Sequence, residues 1–181
     1  MADICEYKAK VVGKKNACYA TFGSFPFMDS KTIEKEYGTE TDYTLFLHGY
    51  CKWTVDQYAS DYDGPKDIVI PGNPDEAAEF GAEYHGTTVR SCSELFNVEI
   101  WCNSADIDAP DGVFSEHYIS GESDDSITYK DMPREIEMDE YQLPGTIFEM
   151  YYGEDMSVEE IAEALDLDEE YVRSVLDAEE E

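Results

Sequence analysis

Between Ser157 and Glu181 the chain sets eleven carboxylates against one basic residue, Arg173. If that stretch is helical, a rise of about 1.5 Å per residue gives a path of roughly 38 Å, or about one carboxylate per 3.4 Å. That interval is also the charge spacing of one DNA strand. Such a surface makes and breaks no bonds; it offers a polyanion's charge density to a groove lined with Lys and Arg, with long-range steering. The densest cluster is Glu159, Glu160, Glu163, Asp166, Asp168, Glu169 and Glu170, and Asp124 and Asp125 form a second acidic site upstream. These nine are the candidate partner-binding residues.

Other chemistries fare worse. Asp106-Ile107-Asp108-Ala109-Pro110-Asp111-Gly112 begins like a calcium loop, but Pro110 takes the fifth, liganding position, and His117 stands where the twelfth, a Glu, belongs. Five cysteines (Cys5, Cys18, Cys51, Cys92, Cys102) and three histidines (His48, His85, His117) include no Cys-x-x-Cys pair, so neither a zinc site nor a disulfide framework is expected. With so many carboxylates, chance pairs carry no information about acid-base catalysis. No Gly-x-x-x-x-Gly-Lys loop and no His-Glu-x-x-His motif is present. No catalytic residue, metal or cofactor is expected; His117 reads as a satisfied sheet residue, and Trp53 and Trp101 as core or sheet-face anchors.

The whole chain has 181 residues, 43 acidic and 12 basic, for a net charge of −31, against a magnitude of roughly 2–8 for an ordinary small domain. From Asn103 onward 26 acidic residues face 3 basic ones; before it, 17 face 9. Disorder is not the expected cause, because 42% of residues are hydrophobic and 13% aromatic; only the end beyond Leu176 is expected to fray. No apolar run of membrane-spanning length and no basic-then-apolar leader pattern is present, so a soluble, cytoplasmic protein with reduced thiols is expected.

Elements must hold these residues in place. Residues 3–12 alternate with period two and read as a strand. Asn16 is a candidate N-cap for a short helix carrying Ala17, Cys18, Tyr19 and Phe22. Residues 43–53 form the strongest strand pattern. A connection rich in Pro and Gly follows, with 67–70 a short edge strand. Thr87-Thr88 can cap a helix whose Val89, Cys92, Leu95 and Phe96 make one stripe; 98–102 and 114–119 are strands. This order predicts an α+β fold, a split β-α-β arrangement with an antiparallel sheet and two helices on one face. The opening Ile4-Cys5-Glu6-Tyr7 with Gly13, Cys51-Lys52-Trp53, Glu99-Ile100-Trp101-Cys102 and Glu116-His117-Tyr118 resemble YubB-type ferredoxin-like proteins of plasmids and phages. That resemblance implies a ferredoxin-like fold over about residues 3–121 and supplies no catalytic residues.

The carboxy-terminal part has helical periodicity. Residues 147–152 suggest a first helix. Ser157-Val158-Glu159-Glu160 is a capping box, Val158, Ile161, Ala162 and Leu165 make an apolar stripe, and a further helix beginning at Asp168 carries Tyr171, Val172, Val175 and Leu176. With a turn at Asp166-Leu167, residues 145–177 resemble the helix-turn-helix of sigma-factor-type DNA binders. The last helix of such a unit enters the major groove with basic and amide side chains, whereas here it offers Asp168, Glu169, Glu170, Arg173, Ser174 and Asp177, a set that repels a polyanion.

The expected division is therefore a ferredoxin-like domain at 1–130, a linker at 131–144 and an acidic helix-turn-helix-like domain at 145–181. Small, acidic and with this inverted charge, the chain resembles phage anti-defence proteins, most of all anti-CRISPR proteins against type II Cas9. That resemblance implies a non-enzymatic DNA mimic that binds a basic DNA-binding protein, Cas9 with its guide RNA, and blocks DNA engagement or cleavage. It also implies no direct binding of nucleic acid and no membrane. The alternatives are an antirestriction DNA mimic and a regulator whose helix-turn-helix has become a protein-protein module.

Overall fold

The computed structural model describes residues 4–26, 30–52, 60–107, 113–124, 126–127 and 131–179. Trp53, Asp108, Asp111 and Asp125 therefore lie outside the described residues. The elements are β1 (Ile4–Gly13), α1 (Lys15–Ser24), β2 (Lys31–Gly38), β3 (Tyr43–Lys52), α2 (Pro74–Ala82), α3 (Val89–Phe96), β4 (Glu99–Asp106), β5 (Phe114–Ile119), β6 (Glu122–Ser123), α4 (Asp139–Phe148), α5 (Val158–Leu165) and α6 (Glu169–Glu179).

The six strands form one antiparallel sheet in the order β2-β3-β1-β4-β5-β6. Its first four strands carry the split β-α-β topology: β1 is flanked by β3 and β4, and β2 pairs on the far side of β3. The α+β class and the carboxy-terminal helix-turn-helix-like region read from sequence are thus present. Alternation decides which side chains meet the helices: Cys5, Tyr7, Ala9 and Val11 of β1, Leu45 and Leu47 of β3 and Ile100 and Cys102 of β4 are buried in one core with Ala17 and Cys18 of α1 and Val89, Cys92, Leu95 and Phe96 of α3. Gly49 lies opposite Tyr7, where any Cβ would strike the tyrosine ring. The Tyr7 hydroxyl then donates to the Pro26 carbonyl at 2.6 Å.

Three elements are absent from the sequence reading: β2, α2 and the two-residue β6. β2 is an edge strand, mostly exposed, whose register shifts between Ile33 and Lys35, so its alternation breaks and only pairing with β3 defines it. α2 starts inside the segment read as a connection: Asn73 accepts from the Asp75 and Glu76 N–H groups, and Pro74 takes the first helical position. It crosses α1 closely, because a Cβ on Gly23 or Gly81 would run into the backbone of Ala78 or Ala20.

Three expectations are corrected. Residues 67–70 form no strand. Asn16 lies within α1 and donates to the Ile70 carbonyl instead of capping the helix. α6 continues past Leu176 to Glu179.

The opposite sheet face is lined by the alternate residues. Phe46 and Trp101 pack there with Ile127, Met132 and Ile136. The Asn103 amide donates to the Ile136 carbonyl at 2.9 Å. Trp101 stacks on His117 with ring centroids 3.5 Å apart, and His117 Nε2 lies 2.8 Å from Glu99, so both act as sheet-face residues. Among the described residues no helix is long and apolar enough to cross a membrane.

Candidate nucleic-acid interface

α4 leads into one turn of π-helix at Glu149–Gly153, so residues 147–152, read as a helix of their own, are the end of α4 and this turn. The π turn adds a residue to the helical register and rotates the chain that follows. Ser157 then starts α5 with a complete capping box: its hydroxyl accepts from the Glu160 N–H at 3.2 Å, and its own N–H donates to Glu160 Oε2 at 2.8 Å. The Ser157 N–H, with its hydroxyl second, holds the Glu160 carboxyl below the usual range. α5 stops where Asp166 turns left-handed, at φ 54°, with its N–H directed at the Ala162 and Glu163 carbonyls. Leu167 N–H donates to Ala162 O at 2.9 Å, and α6 follows.

Ile147 of α4, Ile161 and Ala162 of α5 and Val172 and Leu176 of α6 are buried together, with Phe148, Met150, Met156, Val158, Leu165, Leu167 and Val175 packed around them. These helices have their own small core. Of the stripe read from sequence, Ile161 and Ala162 are buried and Val158 and Leu165 partly buried, and this sets the polar face by exclusion.

Glu159, Glu160, Glu163, Asp166, Asp168, Glu169 and Glu170 all face solvent. Arg173 draws two of them together, with its Nη2 3.7 Å from both Glu159 Oε1 and Glu169 Oε2. Arg173 thus links one carboxylate of α5 with one of α6. Asp124 stands apart, next to β6, where it accepts from the Ser126 hydroxyl at 2.6 Å and the Ser126 N–H at 3.2 Å; these bonds hold its carboxyl below the usual range. Beside the turn, Leu143, Asp166, Leu167, Asp168 and Tyr171 line an open cleft of about 500 Å³. Ser174 and Tyr171 are also exposed on α6. The sequence reading names Ser174 among the side chains the last helix offers and Tyr171 among its apolar residues, and counts neither as a partner-binding candidate.

Nothing in this unit resembles a catalytic constellation. The histidines lie elsewhere: His48 places its two ring nitrogens 2.7 Å from Glu6 and 3.1 Å from Glu34, and His85 bonds the Ala82 carbonyl. Among the described residues no group of three His, Cys, Asp or Glu side chains is placed to hold a metal ion.

Residues 145–177 match the family Sigma-70, region 4, a DNA-binding, non-catalytic type of regulatory domain. The match covers 33 of the 181 residues and coincides with the end of α4, the π turn, α5 and most of α6. No curated protein and no solved structure matches the chain. The match overturns the reading of the chain as a Cas9 inhibitor or other DNA mimic: the helices that carry the carboxylates are similar to those of a DNA-binding type of domain. It likewise overturns the expectation that the chain makes no direct contact with nucleic acid and binds a basic DNA-handling protein in its place. The helical skeleton, and not the charge of the last helix, accords with the family match.

Proposed function

We propose that this chain is a non-catalytic transcription regulator that contacts DNA through the helix-turn-helix-type unit at 145–177. The observation that carries this is the coincidence of the sigma region-4 match with a capped helix, a left-handed turn and a second helix sharing one core.

The charge of the unit sets how such contact works. With eleven carboxylates and one arginine between residues 145 and 177, the unit gains little from counterion release, the term that dominates non-specific binding. Affinity then rests on short-range contacts to base edges, and the exposed face of α6 offers Arg173, Ser174 and Tyr171 for these. Arg173 is held only by two exposed ion pairs, each typically worth about 0.2–1 kcal/mol, so it can turn to a base without a large loss. Glu159, Glu160, Glu163, Asp166, Asp168, Glu169 and Glu170 act as a repulsive rim that lowers affinity for every duplex alike, so that only a site whose base contacts outweigh the repulsion is bound.

Selection from a random duplex library at high salt tests this. An enriched motif whose binding is lost in Arg173→Ala supports the reading; a library that emerges unenriched contradicts it.

A further inference from the structure

We propose that Cys5 and Cys51 form a peroxide-oxidisable dithiol, with Cys5 the sulfur attacked first and Cys51 the resolving thiol. The proposal is independent of the DNA-binding reading. It begins with register: Cys5 of β1 lies directly opposite Cys51 of β3, both side chains on the core face. Residues so placed have Cβ atoms about 4.5–5.5 Å apart, a small strand shift from the roughly 3.5–4.5 Å of a disulfide. The two thiols hydrogen-bond to each other.

The surroundings differ between the two sulfurs. Cys5 has the Cys51 thiol as a donor, the Ser104 hydroxyl beside it and the Ala105 N–H within reach; these lower its pKa against the opposing effects of burial and of Asp106. The Ser104 hydroxyl is buried without a hydrogen-bond partner of its own, so it is available to a thiolate there. The bond to Cys5 and burial push the Cys51 thiol up, which keeps it protonated as the donor. Cys102 of β4 also lies within electrostatic reach of Cys51, whereas Cys18 and Cys92 sit in different company. Cys18 of α1 faces the Val11 and Tyr43 carbonyls, and burial pushes it up to about 12. Cys92 of α3 lies against the Ser24 and Thr87 hydroxyls. Among the described residues only the Ile4–Lys52 pair lies beyond Cys5–Cys51 on this ladder, and Lys52 is exposed, so fraying of this end opens the pair to solvent.

In the first step the Cys5 thiolate attacks hydrogen peroxide. The S–O bond forms as the O–O bond breaks, sulfur is oxidised by two electrons to the sulfenic acid, and the hydroxide released takes up the proton Cys5 lost. In the second step Cys51 sulfur attacks Cys5 sulfur. The S–S bond forms, the S–O bond breaks, and hydroxide leaves with the Cys51 proton as water. Two thiols and one peroxide thus give one disulfide and two waters.

The test exposes the reduced full chain to a small excess of hydrogen peroxide, quenches at intervals, alkylates in denaturant and maps the peptides. We expect a Cys5–Cys51 linked peptide to appear about tenfold or more faster than any oxidation of Cys18 or Cys92. In Cys51→Ala the Cys5 sulfenic acid should persist and be captured by dimedone. Should that variant misfold, the wild-type map decides alone. Oxidation of Cys5 no faster than that of Cys18, or a bridge between any other pair, overturns the proposal.

Discussion

On the sheet-bearing part, carboxylates are built into the fold: Glu6 and Glu34 flank His48, Glu99 meets His117, Glu40 reaches Lys15 and Glu94 pairs with Lys66. On the helical unit Glu159 and Glu169 share Arg173 and Glu160 closes a capping box, while Glu163, Asp166, Asp168, Glu170 and Asp177 stand exposed to water. The sheet has a large core formed by residues distant in sequence, and the helices have a small local one. The contrast shows where the surplus charge resides. It is densest on the element with the least burial to offset self-repulsion, where residues 145–181 carry 14 of the 43 acidic residues against one of the 12 basic ones.

The strongest way to break this comparison is to open each core in turn. Ile100→Ala in the sheet and Ile161→Ala in the helical unit each remove a fully buried side chain and should each cost about 2–5 kcal/mol. Ile161→Ala should lower helical circular dichroism while leaving Trp101 fluorescence in place, and Ile100→Ala should disturb the fluorescence. If either substitution abolishes both signals in one transition, the two cores are not separable in the way described.

Removing the cap is the next largest perturbation. Ser157→Ala should destabilise α5 by about 0.5–2 kcal/mol in denaturant titration. It should also change the acid side of the stability curve. The folded Glu160 carboxyl lies below its unfolded value, so its contribution is complete above the ordinary Glu range near pH 4.3 and disappears as pH falls through the folded pKa. In Glu160→Gln that segment of the curve should flatten, whereas the Ala variant, which keeps the Ser157 N–H, should flatten it only in part. An unchanged acid slope would mean that Glu160 does not hold the cap in solution.

Smaller still is the effect of each exposed carboxylate. Changing Glu163, Asp168, Glu169 and Glu170 together to Gln or Asn should leave the core intact and raise the melting temperature slightly by relieving repulsion. Any one change alone should be worth a few tenths of a kcal/mol. The same four-fold variant should bind random duplex more tightly at low salt than the parent does. A variant that binds random duplex no better than the parent would remove the rim from the account.

The sequence carried the helical unit well because its signals are local. The capping box at Ser157, the stripe Val158, Ile161, Ala162 and Leu165, and the break at Asp166 each follow from three or four neighbouring residues. The sheet was legible where alternation is continuous, in β1 and β3, and hidden where it is not. β2 exists because β3 needs a partner and carries a register shift that scrambles its pattern. α2 was lost because Pro71, Gly72 and Pro74 were read as breakers, although Asn73-Pro74 is a cap followed by a first-turn proline. The site residues could be placed on a face from the stripe alone. Their role could not, because charge reports what a surface repels or attracts at long range and says nothing about the skeleton's short-range contacts.

The central claim, that residues 145–177 read DNA by short-range contacts against an unfavourable charge, is tested most directly by the salt dependence of binding to a selected duplex. A DNA binder that depends on phosphate contacts loses affinity steeply as salt rises. Here screening weakens repulsion between the acidic face and the phosphates over a distance of about 10 Å at 0.1 M. The account therefore predicts that affinity for the selected site stays level or increases as salt is raised, and that Arg173→Ala removes it at every salt concentration. A steep loss of affinity with salt, or binding indifferent to Arg173, would contradict it.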